Sequence, residues 1–263
     1  MKQICQDLRT EHAELDTVVA GLDEKQWMLM TPSPTWNIKN QIRHLAYFDD
    51  RAALAASDPD GFAKHIEEVM SDIAKFMKTL DEVGKDMPID ELMSWWRSER
   101  NKMLDAYTAM NPKDRILWYG PPMSALSHAT ARLMETWAHG QDVFDALRLK
   151  RTNTDRLRHI AHLGVKTFGW SYTNRGLQAP QTPVRVELTA PSGALWTWGP
   201  ENASDKISGP AEDFCLIVAQ RRHVDDTRLR VIGETARDWM LKAQCFAGPP
   251  TDGPPPGERV WEK

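Results

Sequence analysis

Glu135 and His139 stand four residues apart in Met134-Glu135-Thr136-Trp137-Ala138-His139, the sharpest chemical signal in the chain. On a helix that spacing projects both side chains from one face, so a carboxylate oxygen and an imidazole nitrogen can converge on one point. Both donors reach a divalent ion at about 2.0–2.2 Å. Most Glu-x-x-x-His pairs are solvated surface pairs, so the spacing alone does not decide the matter. The apolar Met134, Trp137, Ala138, Val143 and Phe144 around it add weight, because a glutamate facing such a core needs a partner to offset its desolvation. His44, within Ile42-Arg43-His44-Leu45-Ala46, is a second candidate. A lone histidine in an apolar helix is more often a satisfied core residue, and this one gains meaning only from a longer pattern.

The other histidines carry less. His12 and His65 sit among charged neighbours and read as solvated. His128 lies about two helical turns before Glu135 and either lines the same cavity or satisfies the first turn of its helix. His159 and His162 have metal-compatible spacing, but their polar flanks favour the surface. His223 follows Arg221-Arg222 at the expected end of a helix, where the dipole stabilises cations.

The elements that must position these groups are mainly helical. The chain has 263 residues, 33 Lys and Arg against 37 Asp and Glu, a net charge of -4, and three cysteines. That length suits one large domain or two modest ones with an ordinary core. Three scattered cysteines without a CxxC form no disulfide framework, which suits a reducing cytoplasm. The acidic balance argues against a nucleic-acid partner, and no apolar run is long enough to span a membrane. Apolar periodicity predicts helices ending near Gly21, then over 36–56 with Thr35 as N-cap, 62–82, 89–109, 124–148 and 153–174, with a plain connection over 23–34. After about residue 176 the pattern changes. VRVEL at 184–188 and LWTW at 195–198 read as a hairpin, a short segment follows at 205–207, and helices are expected over 210–222 and 234–244. The fold class is therefore α+β: a helical domain over 1–176, a small mixed domain over 177–248, and a Pro-rich tail over 249–263 in which Trp261 is a candidate to dock.

The longer pattern around His44 runs Leu22-Asp23-Glu24-Lys25-Gln26-Trp27, Thr31-Pro32-Ser33-Pro34-Thr35-Trp36-Asn37-Ile38, and Gln41-Ile42-Arg43-His44-Leu45. It resembles the N-terminal domain of mycothiol-dependent maleylpyruvate isomerases, within the DinB-like superfamily of helical bundles. That family has a Trp after the first helix, a Pro-x-Trp step into the second, a histidine eight residues beyond that Trp, and a later Glu-x-x-x-His followed closely by Asp. The counterparts are Trp27, Pro34-Thr35-Trp36, His44, and Glu135 with His139 and Asp142. Ser33 and Thr35 stand where the family often has Cys and Gly, and 111–123 has no assignable counterpart. Ile207 to Glu212 resembles a helix-opening segment of the family's sterol-carrier-like second domain, and the tail region also resembles proteins with a wyosine-base-formation signature.

The resemblance implies a four-helix-type bundle in which His44, Glu135 and His139 bind a divalent ion, zinc being the first choice. Three protein ligands leave an open position, the mark of a catalytic site. It also implies that an arginine of the second domain, Arg221 or Arg222, holds an anionic substrate, a task suited to a guanidinium. The leading expectation is a cytoplasmic, metal-dependent isomerase or transferase, monomeric or homodimeric, that acts on a small electrophile through a low-molecular-weight thiol such as mycothiol or glutathione. Alternatives are a hydrolase, hydratase or lyase that activates water at the same site, with His128 as base, and a non-catalytic metal- or ligand-binding stress protein.

Overall fold

The structure, a computed structural model, describes residues 1–259, so Trp261 lies outside the described residues. The chain forms two compact units, Met1–Lys150 and Arg151–Lys263.

Four long helices build the first unit: α1 (Lys2–Ala20), α3 (Ile38–Ser57), α6 (Ile89–Ala109) and α7 (Ala125–Ala146), with a short α2 (Glu24–Trp27) between the first two. Each long helix packs on two others, α1 on α6 and α7, and α3 on α6 and α7, which closes a four-helix bundle. Its core gathers Leu15 and Val19 of α1, Ile38, Ile42 and Leu45 of α3, Leu92 and Trp96 of α6, and Val143 of α7. These residues recur at three- and four-residue spacings, the stripe that a bundle helix must bury.

Beside the apolar core lies one buried ion pair. Arg132 of α7 donates from Nε (3.1 Å) and a terminal nitrogen (2.8 Å) to Asp49 Oδ1 on α3. Trp96 Nε1 on α6 donates to the other carboxylate oxygen at 3.2 Å. Burial pushes the Asp49 carboxyl upward, and the Arg132 guanidinium opposes that shift. His12, expected in solvent, is instead buried here. Its ring meets Trp96 edge-on at 6.1 Å, and its Nε2 stands 3.6 Å from Asp49. Burial first, then Arg100 and Arg132, depress its pKa well below the usual value, so it is a neutral core residue. Asp49 and Trp96, which meet His12, come from other helices.

Several boundaries differ from the sequence expectation. Asn37, not Thr35, caps α3, through a capping box with Asn40. Thr35 instead adopts φ 67°, the left-handed region, because the chain must turn sharply from Pro34 before α3 can start. The third expected helix is two, α4 (Pro59–Ser71) and α5 (Ile73–Glu82), broken at Asp72, whose side chain caps the second. The apolar period runs across the break, so periodicity alone could not reveal it. A two-stranded ribbon, β1 (Arg115–Ile116) with β2 (Met123–Ser124), occupies the segment left unassigned.

The second unit begins earlier than residue 177. Helices α8 (Leu157–Lys166) and α9 (Phe168–Thr173) belong to it, because α8 packs on α10 (Ala211–Val218). A Cβ on Gly164 would come within 2.8 Å of Val218 and 3.0 Å of Phe214, so glycine permits the close approach of these helices. Strands β3 (Val184–Thr189), β4 (Leu195–Trp198), β5 (Asp205–Pro210) and β6 (Arg230–Ile232) form a sheet in the order β4-β3-β5-β6. The β3–β4 hairpin is antiparallel as read from sequence, β5 is a full strand parallel to β3, and β6 is an addition. Helix α11 (Glu234–Lys242) packs against β5 and β6, and no helix or strand follows it among the described residues. The proline-rich stretch is nonetheless tied down, Gln220 Nε2 donating to Thr251 O at 2.6 Å and Gly257 N to Asp226 at 2.9 Å.

Two measurements check this account. Replacing exposed Thr35 by glycine removes a left-handed β-branched residue and should raise stability by up to about 1 kcal/mol in urea unfolding; an unchanged or lower midpoint would contradict the strain. Asp49→Ala leaves the Arg132 charge buried and should cost about 3–5 kcal/mol. The double change Asp49→Leu with Arg132→Met should recover most of that loss, and failure to do so would mean that the pair is not the source.

Candidate metal centre

His44 projects from α3, and Glu135 and His139 from α7. One donor atom from each lies within 4.8 Å of the other two. The imidazoles of His44 and His139 have centroids 4.4 Å apart, and His139 Nε2 is 3.2 Å from Glu135 Oε2. Donors on a tetrahedral ion at 2.0–2.2 Å are about 3.4 Å from one another, so small side-chain rotations suffice to complete such a shell.

The α3 and α7 contacts run in an antiparallel ladder. Asp49 meets Arg132, His44 meets His139, and Gln41 meets both His139 and Asp142. The sequence spacing of the two helices therefore brings the donors together once the ion pair sets their register.

Hydrogen bonds define the state of His139. Its Nδ1 is 2.5 Å from Gln41 Oε1. The amide of fully buried Gln41 is oriented by Thr31: Thr31 Oγ1 donates to Trp36 O at 2.8 Å, so its oxygen is left to accept from Gln41 Nε2 at 2.9 Å. The Gln41 carbonyl thus faces His139, and Nδ1 must carry a proton. Nε2 then has its lone pair toward the Glu135 carboxylate unless a positive species, a second proton or a cation, stands between them. Burial alone would raise the Glu135 carboxyl; a positively charged His139, through its hydrogen bond and its charge, with Arg132 and His44, more than offsets burial and holds the carboxyl at about 2. Two neutral-capable imidazoles and one ionised carboxylate at this separation fit a first-row divalent ion.

Aromatic side chains frame these donors. Trp36 stacks on His139 at 5.8 Å and 19° and lies 5.0 Å from His44, while Phe48, one turn beyond His44 on α3, approaches its ring at 4.6 Å. Trp36 and Phe48 are half-buried. Ser33 closes the arrangement by donating to Asp142 Oδ2 at 2.9 Å. Gln41 and Trp36 were in the sequence pattern, but their roles were not legible; the available signal was that Gln41 precedes His44 by three residues on α3.

The other candidates have their own local partners. His128 is buried in α7, with Nδ1 2.5 Å from the Tyr107 hydroxyl and its ring 4.5 Å from that of Trp118. Burial and the Arg132 charge push its pKa down to about 3. It is a neutral partner of Tyr107, outside the three-donor cluster. Arg221 and Arg222 belong to the second unit, just after α10, where they donate to the backbone carbonyls of Ala219 (2.6 Å) and Arg221 (2.7 Å). His65 shares a 2.7 Å hydrogen bond with Tyr119, and exposed His162 accepts from Trp198 Nε1 at 3.2 Å. No helix among the described residues is long and apolar enough to cross a membrane.

Comparison with known proteins places this geometry. Residues 8–144 match the mycothiol maleylpyruvate isomerase N-terminal domain, and residues 180–232 match a domain described as wyosine base formation. An uncharacterized protein of Mycobacterium tuberculosis, found in two strains, is 44% identical over 248 residues, which span 94% of this chain and 96% of the relative. Crystal structures of a mycothiol-dependent maleylpyruvate isomerase share the fold at 15% identity. A histidine-to-alanine mutant aligns with a TM-score of 0.58 over 85% of this chain and 90% of the other. A second structure aligns with a TM-score of 0.52 over 84% and 89%. The bundle, the triad it carries and the match over more than half its length make this chain a member of the mycothiol maleylpyruvate isomerase N-terminal domain family.

Proposed function

We propose that the protein is a divalent-metal-dependent enzyme that uses a low-molecular-weight thiol, mycothiol first, to isomerise or modify a small unsaturated electrophile. The observation that carries the reading is the convergence of His44, Glu135 and His139, supported by membership of a family named for a mycothiol-dependent isomerase. The fourth coordination position of a divalent ion held by these three residues would acidify a bound thiol or water near neutral pH.

The chain's own groups supply the rest. Glu135, held ionised, contributes the single negative charge of the donor set, and Gln41 keeps a proton on His139 Nδ1 so that Nε2 is the donor. Trp36 and Phe48 provide flat apolar walls on two sides of His44, which suits a planar conjugated carbon skeleton. In an isomerisation, the sulfur lone pair of the thiolate forms a C–S bond to an electron-poor alkene carbon, and the π pair moves onto the activating group. The remaining single bond rotates. Return of that electron pair expels the thiolate and restores the double bond with changed geometry. Where protonation of the adduct precedes elimination, the outcome is thiol transfer. Arg221 and Arg222 are the candidates for binding an anionic group of the substrate, on the resemblance alone.

The test joins metal analysis to activity. Purified protein should bind zinc, and saturation at 100 times Kd should raise stability by about 2.7 kcal/mol. His44→Ala and His139→Ala should each lower zinc affinity by more than the roughly 10–100-fold typical of losing an outer partner. Turnover of unsaturated electrophiles should require mycothiol or glutathione and disappear in both variants. Turnover that survives thiol removal would favour metal-activated water, and full activity with unchanged metal content in either variant would remove the metal from the reaction.

A further inference from the structure

The bonds around His139 continue beyond the donor set into a single chain. His139 Nδ1–H reaches Gln41 Oε1, Gln41 Nε2 reaches Thr31 Oγ1, and Thr31 reaches Trp36 through both its hydroxyl and its backbone N–H, each 2.8 Å from Trp36 O. Trp36 returns to stack on the His139 ring. The loop 31–36 that closes this circuit is fastened to α7 by Ser33 and Asp142, and it contains left-handed Thr35. A residue in that backbone conformation persists only where surrounding contacts hold it. Gln41 bonds both the imidazole and the loop. It is fully buried, so water cannot replace either bond without reorganisation.

We infer that Gln41 is a positioning residue that selects the Nδ1–H form of His139, leaving Nε2 as the coordinating nitrogen, and couples that choice to the seating of loop 31–36 with Trp36 over the donors. An imidazole without this acceptor redistributes its proton between the two nitrogens, and a proton on Nε2 competes with a cation for the position beside Glu135. Loosening the loop removes the Trp36 face from the same ring. The inference rests on the reading of His139 as a ligand for its effect on metal affinity, while the Nδ1–H bond to Gln41 Oε1 is itself observable without any metal.

Two readouts separate these parts. Nitrogen-15 NMR of the metal-free full-length protein at pH 8 should find a hydrogen-bonded Nδ1–H on His139 in the wild type and lose that signal in Gln41→Met. Gln41→Glu, which keeps an acceptor in place, should preserve the wild-type form. Zinc affinity, measured by chelator competition, should fall about 10–100-fold in Gln41→Met and by less in Gln41→Glu, which keeps the acceptor for Nδ1 and loses only the donor to Thr31. Thr31→Val should weaken zinc binding by less than Gln41→Met does, and the double variant should lose less than the product of the two effects, because both changes cut one chain of bonds. An unchanged Nδ1–H signal, or zinc affinity within about twofold of wild type, in Gln41→Met would overturn the inference. Should the wild type bind no zinc, the ligand reading fails, and the Nδ1–H signal alone then decides whether Gln41 positions His139.

Discussion

The buried pair between Asp49 and Arg132 is the constraint on which the donor geometry depends. It joins α3 to α7 through a guanidinium with two nitrogens on one carboxylate oxygen, in a region closed to solvent. Apolar side chains on two helices can slide past one another at modest cost, since Leu and Ile fit several registers. A charge pair without water has one good register and many costly ones. Asp49 lies five residues after His44, and Arg132 lies three before Glu135 and seven before His139. With the helices antiparallel, closing the ion pair draws His44 up to His139. The site is in this sense a consequence of a polar contact in the bundle interior.

The same pair sets the electrostatics. Arg132 lies next to Glu135 in the charge sequence and helps to hold its carboxyl ionised, while Asp49 neutralises most of the remaining guanidinium charge. Burying a carboxylate without such compensation would drive it toward the protonated form, which is a poor ligand. Trp96 gives the second oxygen of Asp49 a donor from α6, so three of the four bundle helices meet at one carboxylate. His12 from α1 completes the ring as a neutral neighbour.

What could be read in advance follows from how local each determinant is. Glu135 and His139 were legible because one helical period joins them, and the hairpin over 184–198 because alternation and a Pro-Ser-Gly turn are local. His44 could be singled out only through the Trp36 spacing, since its partners come from α7. His12 was misread because Glu11 and Glu14 flank it in sequence, whereas Asp49 and Trp96 surround it in space. The unit boundary moved from 176 to 150 for a related reason. Helix α8 has the composition of the preceding helices, but its buried face is matched to Phe214 and Val218, and nothing within residues 157–166 states which partner that face takes.

Loop 31–36 carries Ser33 and Thr35, and both residues have physical consequences. A glycine at position 35 would adopt the left-handed turn without strain, so Thr35 is tolerated only while other contacts hold the loop. Ser33 supplies one such contact, since its hydroxyl is a better donor to Asp142 than a thiol would be. The loop is thus held by side-chain bonds to α3 and α7 instead of by backbone preference. Those bonds end on Gln41 and Asp142, which also meet each other at 3.5 Å. A loop held this way is only as firm as the helices beneath it, so its fit over the donors is inherited from the register that Asp49 and Arg132 impose. Changes at 33 and 35 can then reshape the wall beside His44 while leaving the donor atoms in place, because the donors hang on α3 and α7 and the wall hangs on the loop.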